Sequence, residues 1–323
     1  MDYRQAVLRG SLGAHEALDH LGLNRKIKEG LRQVDVFECL KQLGIVTVCR
    51  PLDGLLGAYT KHDNVNGILV STNRRLPIQR FTAAHELGHY WLKHEMSVDS
   101  EESINAARRR SNVPLQEVEA EVFAAEFILP RALVGYTIRR QNYAKQDLRN
   151  PETIYQLSLR LGVSYSATRV ALQNHKFISR YESQLASDVK PISIKRKLLE
   201  GIDLDASHPD VFHITEIDDN GYMLSNEDDI IIIDLPEHSA SGYLWDDFKG
   251  YDTIKTLIDT HELLTPASTG GLSKRRVILN GSEVTALHTQ EKRPWEANLA
   301  LNSFNITLDC RGKESGLPRA YNQ

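Results

Sequence analysis

The 323-residue chain is poor in cysteine, and its three cysteines, Cys39, Cys49 and Cys310, are widely separated. This spacing excludes a cysteine-based metal site and a dense disulfide framework. An odd number would leave one thiol unpaired in a secreted protein, so the count favours a reducing compartment. The chain also lacks a run of about eighteen apolar residues and a positively charged, apolar N-terminal segment. We therefore expect a soluble, cytoplasmic protein with no membrane partner.

Low-complexity segments and internal repeats are absent as well, and the length suits two or three domains. Charge is distributed unevenly along the chain. Residues 131–200 hold 13 basic and 5 acidic residues, a net of +8, whereas residues 201–323 hold 10 basic and 21 acidic residues, a net of −11. These shifts in composition predict three modules, at residues 1–140, 141–200 and 205–323.

The stretch FTAAHELGHYWLKHE, at residues 81–95, predicts a helix that carries a metal site. His85 and His89 are four residues apart, so both imidazoles lie on one helical face and can bind one ion. Glu86 lies about 100° around the helix, where a carboxylate can hold a water molecule beside the metal. Tyr90 and His94 follow closely and are candidate oxyanion donors, although packing or surface roles are alternatives.

Two strands are predicted before this helix, IVTV at residues 45–48 and GILVSTN at residues 67–73. We expect IVTV to be buried. GILVSTN either aligns an extended peptide substrate as an added strand or lies in the core.

The stretch EVEAEVFAAEFILP, at residues 117–130, predicts a second helix. Its expected apolar face consists of Val118, Val122, Ala125 and Leu129. Glu117 and Glu121 are again four residues apart. A zinc hydrolase needs three protein ligands and one open position, so one glutamate can complete the set while the other holds a histidine ring from behind. Glu119 points to another face and is expected to be solvated.

RFTAAHELGHYWL and EVEAEVFAAEFILP together resemble the ImmA/IrrE family of metallopeptidases, over most of residues 30–175. The resemblance implies a single zinc ion, or manganese, bound by His85, His89 and Glu117, with Glu86 as the general base. Glu121 stands where the family usually has asparagine, in a position behind the ligands. The implied substrate is a regulatory protein, a helix-turn-helix repressor whose cleavage controls a stress response or a mobile element.

The stretch PETIYQLSLRLGVSYSATRVALQNHKFIS, from residue 151, predicts a helix, a turn at Gly162 and a second helix capped by Ser164. The ImmA/IrrE family carries a similar segment. In this basic region, Arg160, Arg169 and Lys176 are candidate phosphate contacts to nucleic acid. The alternative is a helical hairpin that packs on the peptidase and has a basic, solvated face.

From about residue 210, short alternating runs predict an all-β sandwich. Three stretches, EHSASGYLW at 237–245, STGGL at 268–272 and KRPWE at 292–296, resemble the binding loops of the chagasin family of cysteine-protease inhibitors, an immunoglobulin-like sandwich. The resemblance implies that a papain-like protease, or another protein, binds these loops. The loop residues are Gly242, Tyr243, Gly270, Gly271, Arg293, Pro294 and Trp295. We expect Trp245 to lie in the core between the sheets.

The sequence thus predicts an α+β zincin-like metallopeptidase with a helix-turn-helix segment, followed by an immunoglobulin-like sandwich. Three functions compete: a peptidase that cuts a regulator, a protease-binding or inhibitor protein with a vestigial peptidase, and a DNA-binding regulator. The intact HExxH motif favours the first, with the sandwich as a sensor or targeting module.

Overall fold

The computed structural model of the protein describes residues 2–63, 65–94, 114–199, 202, 209–248, 254–263, 273–296 and 299–310, and the backbone of 97–100. The chain forms two compact units. The first contains Met1–Arg139 and Leu161–Gln184, and the second contains Arg140–Arg160 and Leu185–Lys313. The three-module division by charge stays a prediction.

The helices before residue 150 are α1 (Tyr3–His20), α2 (Leu23–Lys28), α3 (Val36–Gln42), α4 (Leu76–Trp91), α5 (Leu115–Ile128) and α6 (Arg131–Arg140). Those after it are α7 (Pro151–Leu161), α8 (Tyr165–Asn174), α9 (Arg180–Ser187) and α10 (Pro191–Leu198). In the part of the chain that the structure describes, none of these helices combines the length and the apolar character needed to cross a bilayer.

A four-stranded sheet belongs to the first unit, with strands β1 (Val46–Arg50), β2 (Leu55–His62), β3 (Val65–Ser71) and β4 (Ser97–Ser100) in the order β1-β3-β2-β4. The strand predicted as GILVSTN is β3, which pairs with β1 on one side and β2 on the other. Because both edges of β3 are already paired, the prediction that an extended peptide substrate pairs with this strand is wrong. The expected burial of IVTV is also wrong: β1 is an edge strand, and Val46 and Val48 are 53% and 46% exposed.

The HExxH helix α4 packs directly on α5 because Gly88 lets the two backbones approach. A Cβ placed on Gly88 would lie 3.1 Å from Ala120 Cα and 3.1 Å from the Phe123 ring. The buried face of α5 contains Val118, Ala120, Phe123, Ala124 and Phe127. Ala125, expected on this face, is exposed. The face is therefore rotated from the predicted one, and the new phase carries Glu119 inward.

Helix α1 lies against α5 through a face of small residues. Ala6, Gly10, Gly13, Ala14 and Ala17 are its buried positions, with Leu18. A Cβ on Gly10 would overlap the main-chain carbonyl of Glu119, so the two helix backbones are in contact there. The side chain of Asp2 caps the first turn by accepting a hydrogen bond from the Gln5 amide at 2.8 Å.

The predicted helix, turn and helix are present as α7 and α8. Gly162, between them, has a left-handed φ of +67°, which glycine adopts without steric cost. The Ser164 hydroxyl accepts a hydrogen bond from the Ala167 amide at 3.2 Å and so caps α8.

The second unit contains the predicted β-sandwich. Its strands are β5 (Val211–Ile214), β6 (Gly221–Leu224), β7 (Ile230–Glu237), β8 (Leu244–Trp245), β9 (Ile254–Leu263), β10 (Ser273–Gly281), β11 (Val284–Lys292) and β12 (Ala300–Asp309). They form two sheets, β5-β7-β10-β9 and β6-β12-β11-β8. Apolar residues of both sheets form one core, which includes Ile231, Leu287, Phe304 and the predicted core residue Trp245.

Helix α7 covers the outer edge of β5 within the second unit. The Gln156 side chain donates to the Val211 carbonyl at 2.8 Å and accepts from the His213 amide at 2.8 Å. The Tyr155 hydroxyl accepts from the Val211 amide at 3.0 Å. These side chains hydrogen-bond the edge as a neighbouring strand would, which protects it from pairing with another chain.

Two interior glycines of helices provide a matched test of the α1–α5 contact. An alanine at Gly10 would overlap the Glu119 carbonyl, whereas a Cβ on Gly135 would meet the Phe177 ring at an ordinary 3.4 Å. Gly10→Ala should therefore lower the free energy of unfolding by about 1–3 kcal/mol. Gly135→Ala should raise it by up to about 1 kcal/mol, the usual gain in a helix. Urea denaturation of both variants decides the matter, and equal stabilisation by both would contradict the close contact.

Candidate metal centre

Three potential ligand atoms converge between α4 and α5. His85 Nε2 lies 3.2 Å from Glu117 Oε2, His89 Nε2 lies 3.1 Å from His85 Nε2, and His89 Nε2 lies 3.6 Å from Glu117 Oε2. In the described residues, this is the one group of three histidine, cysteine or carboxylate side chains whose ligand atoms are close enough to share an ion. The two helices thus bring together the ligand set expected from the sequence.

The spacing of these atoms fits a tetrahedral site. With metal–ligand distances of about 2.0–2.1 Å, two ligand atoms of a tetrahedral zinc site lie about 3.3–3.4 Å apart. The three measured separations, 3.1, 3.2 and 3.6 Å, lie around that value. The residues present therefore fit a divalent metal ion.

Glu117 is held in its charged form by the two histidines. Burial alone would raise the pKa of its carboxyl, but hydrogen bonds with His85 and His89 outweigh burial and bring the pKa well below its usual range. An ionised carboxylate is the state that binds a metal. The geometry thus favours Glu117 as a ligand at neutral pH.

Glu86, the expected general base, is fully buried in the layer between α4 and the sheet. A Cβ on Gly57 of β2 would lie 3.1 Å from Glu86 Oε1 and would overlap the Thr82 side chain. Glycine at this position lets the strand pass beside the carboxylate with no side chain between them. Glu86 directly follows the ligand residue His85 in the sequence, and the packing of β2 against it shields its carboxylate from bulk water.

Behind His89 lies a chain of polar contacts that the sequence reasoning did not find. His89 Nδ1 is 3.0 Å from His94 Nδ1, and His94 Nε2 is 2.8 Å from Glu119 Oε2. Arg9 of α1 donates through Nη1 to the same Glu119 oxygen at 2.9 Å and through Nη2 to the Leu92 carbonyl at 2.9 Å. The regular spacing of small residues in α1 was the available signal that this helix packs on the site.

The protonation of this chain is fixed by its partners. Burial lowers the pKa of His94, although its hydrogen bond to Glu119 acts in the opposite direction. Because Nε2 of the neutral ring faces a carboxylate, the proton resides there, and Nδ1 accepts a hydrogen bond from His89 Nδ1. With Nδ1 donating to His94, a metal-bound His89 would present its lone pair on Nε2, the atom that faces the other two ligand groups.

Several expected roles change as a result. Glu119, expected to be solvated, is fully buried, so that prediction is wrong. Glu121 is exposed on α5, and His94 and Glu119 occupy the place behind the ligand histidine. His94 as an oxyanion donor is also wrong, because both of its ring nitrogens are engaged elsewhere. Tyr90 packs edge-on against Tyr59, with ring centroids 6.2 Å apart, and its role as a donor stays a prediction.

The candidate nucleic-acid contacts are in different environments. The Arg160 side chain is 8% exposed and pairs with Asp218 at 2.8 Å, both in the second unit. Its role as a phosphate contact is therefore wrong. Arg169 is partly buried and donates to the Ser183 hydroxyl at 2.6 Å, and Lys176 is exposed.

Two of the three predicted binding loops of the sandwich lie side by side. The Arg293 guanidinium stacks over the Tyr243 ring, 4.5 Å from its centroid. A Cβ on Gly242 would meet the Trp295 indole at 2.6 Å. Trp295 is 70% exposed, and Pro294 is exposed beside it. Gly270 and Gly271, predicted for the third loop, lie outside the described residues.

Buried carboxylates anchor the first of these loops. Glu237 accepts from the Trp245 amide at 3.1 Å, and Glu291 accepts from the His238 amide at 2.7 Å. Both carboxylates are fully buried. They fix the two ends of the segment that carries Gly242 and Tyr243.

An HExxH helix combined with a glutamate from a following helix is the site of a metallopeptidase-type domain. Residues 40–173 match the family model of the IrrE N-terminal-like domain, Peptidase M78. Residues 40–173 are therefore similar to the IrrE N-terminal-like domain, and the resemblance drawn from the two motifs is confirmed over that range.

Comparison with curated proteins gave no match. Among solved structures, the chain is similar to the cysteine protease inhibitor EhICP2 from Entamoeba histolytica, at 26% identity and a TM-score of 0.30, over 32% of this chain and 98% of that chain. It is also similar to the solution structure of Amebosin, at 20% identity and a TM-score of 0.24, with 32% and 98% covered.

The burial of Arg160 leads to a stability test. Arg160→Met leaves the Asp218 carboxylate buried without its cation, which typically costs about 3–5 kcal/mol. The same change at Arg196, which is exposed in the same unit, should alter stability by less than about 0.5 kcal/mol. Urea unfolding followed by tryptophan fluorescence measures both. Equal small effects would show that the Arg160–Asp218 pair contributes little to folding.

Proposed function

We propose that the protein is a zinc-dependent endopeptidase that cleaves a regulatory protein. The observation that supports it is the convergence of His85 Nε2, His89 Nε2 and Glu117 Oε2 at separations typical of a tetrahedral site, beside a buried Glu86. The presence of all four groups in this arrangement favours an active peptidase over a vestigial one.

His85, His89 and Glu117 would hold the ion and leave one position open. A bound zinc ion polarises a scissile carbonyl and lowers the pKa of a coordinated water molecule to about 7. Glu86 supplies the proton transfers: its carboxylate takes the proton of the attacking water and delivers it to the leaving amine. His94 and Glu119 keep the His89 ring in the tautomer that has its lone pair on Nε2.

An extended substrate needs a sheet edge near Glu86. Strand β4 is the edge strand beside β2, and β2 carries Gly57, which passes next to Glu86. We infer that a peptide pairs along the outer edge of β4, so that backbone hydrogen bonds hold it whatever its side chains are. This mode selects an unfolded or loop segment as the cleavage site.

The regulator we propose is a helix-turn-helix repressor whose loss changes gene expression in a stress response or in a mobile element. The ImmA/IrrE resemblance supports this substrate class. The nearest candidate is a repressor encoded beside this gene.

Two glutamate variants separate metal binding from chemistry. Wild-type protein prepared without chelator should carry about one zinc ion per chain. Glu117→Ala should lose most of this metal because a ligand is removed. Glu86→Gln should keep the metal and lower cleavage by about a hundredfold or more, because only the base is lost. Elemental analysis and a cleavage assay give the two readouts, and a metal-free wild type would exclude the mechanism.

The cleavage assay uses the neighbouring repressor, with products identified by mass spectrometry. A single cut that yields two fragments is expected. Digestion of casein at a comparable rate would indicate a general protease instead, and cleavage that survives in Glu86→Gln would remove this residue from the mechanism.

We also propose that the sandwich binds a protein through the surface formed by Gly242, Tyr243, Arg293, Pro294 and Trp295, here termed the loop tip. The supporting observation is an exposed tryptophan held beside an arginine–tyrosine stack, a combination enriched at the centres of protein interfaces. The chagasin resemblance of these loops suggests a papain-like protease as the partner. The loop tip then serves to target or regulate the peptidase.

An inhibition assay with full-length protein tests the partner class. If a papain-like protease binds the loop tip, Trp295→Ala should weaken inhibition of papain by about tenfold or more. Val284, 43% exposed at the other end of β11, provides a control: Val284→Ala should leave inhibition unchanged. Absence of inhibition by the wild type would exclude papain-like proteases as the partner.

A further inference from the structure

Helix α1 precedes the matched family domain, which begins at residue 40. Even so, α1 packs on α5 at Gly10 and delivers Arg9 to the polar chain behind His89. The position of Arg9 therefore calls for an explanation other than membership of the matched domain.

The buried carboxylate of Glu119 needs a cationic partner, and the Arg9 guanidinium provides it. The Glu119 side chain is fully buried, and a buried carboxylate is costly unless a cation or several donors satisfy it. Its Oε2 atom has two partners, His94 at 2.8 Å and Arg9 at 2.9 Å. Arg9 is the cationic side chain among the contacts of Glu119 in the described residues, and it approaches from solvent, with its side chain 49% exposed.

The second hydrogen bond of Arg9 connects it to the end of α4. Its Nη2 atom donates to the carbonyl of Leu92 at 2.9 Å, and Leu92 is the C-cap of α4. His94 lies two residues beyond this cap, and its amide bonds to the His89 carbonyl at 2.9 Å. One guanidinium thus bridges the end of the HExxH helix and the carboxylate that holds His94. The planar guanidinium holds both acceptors in a fixed geometry, whereas an ammonium on a flexible stem has rotatable donors and holds them less rigidly.

We propose that Arg9 is a positioning residue of the metal centre: through Glu119 and His94 it fixes the orientation of the His89 ring and so sets metal affinity. This rests on the proposed function, since it takes the same three residues as the ligands. It makes α1 part of the site and extends the functional unit beyond the matched domain. Within the described residues, the side-chain hydrogen bonds of Arg9 go to Glu119 and Leu92 and not to the metal ligands.

Metal affinity, measured with the ion alone, tests the proposal. Partners of a ligand histidine typically change metal affinity by about 10–100-fold when they are removed. Arg9→Gln should therefore weaken Zn²⁺ binding by about tenfold in competition with a chromophoric chelator at constant pH. Arg9→Lys keeps the charge but lacks the rigid planar fork, so the metal affinity of this variant should lie between those of the wild type and Arg9→Gln. Arg4→Gln, at an exposed position of the same helix, should match the wild type.

A second readout separates positioning from stability. The visible absorption of bound Co²⁺ reports ligand geometry, and it should shift in Arg9→Gln and remain unchanged in Arg4→Gln. If Arg9→Gln unfolds, Arg9→Lys takes its place in both measurements. Wild-type metal affinity and an unshifted cobalt spectrum in a folded Arg9 variant would overturn the proposal. A wild type that binds no metal would instead overturn the proposed function.

Discussion

The close contact of α4 with α5 at Gly88 is the constraint on which the metal centre depends. His85 and His89 share a face of α4 because of helical spacing alone, but Glu117 reaches them only because Ala120 and Phe123 lie against the glycine. A side chain larger than hydrogen at this position would separate the helices and the ligands with them. Gly88, one of the two positions of the HELGH motif that provide neither a ligand nor the base, is thus a structural part of the site.

Helical spacing predicted which residues share a face of one helix. It failed to predict which face is buried, because burial depends on the neighbouring elements. The pair His85 and His89 follows from a spacing of four residues and Glu86 from the HExxH motif, whereas the choice of Glu117 over Glu121 came from the ImmA/IrrE resemblance. The phase of α5 could not be obtained in this manner, because Glu119 and Glu121 are equally polar in the sequence. Burial of Glu119 is decided by α1, about a hundred residues away, through Arg9. The same reasoning explains β3, whose central place depends on pairing with β1 and β2.

Charge counts misled for a related reason. The basic segment from residue 131 suggested a surface for nucleic acid, yet Arg160 is buried against Asp218 and Lys195 against Asp210 at 3.0 Å. Both cations form ion pairs inside the second unit, with acidic residues of the sandwich as their partners. The opposite net charges of the two segments are therefore partly an internal ion-pairing pattern. A net charge predicts a surface only when its residues are exposed, as Lys176 is.

Some residues that belong to different sequence segments are joined by hydrogen bonds in the structure. Helix α7 belongs by its motif to the helix-turn-helix segment, but Tyr155, Gln156 and Arg160 hydrogen-bond backbone groups of β5. Removing the sandwich would take away the Val211 and His213 partners of these side chains and the Asp218 partner of Arg160. The matched domain, which ends at residue 173, thus includes a helix whose polar groups are completed by strands outside it. Side chains of the peptidase-like segment therefore complete the hydrogen bonding of the sandwich. Because truncation would break these bonds, a loss of folding after truncation would say nothing about regulation. Single substitutions at the exposed loop tip, such as at Trp295, leave these contacts intact and are the means to separate the two roles.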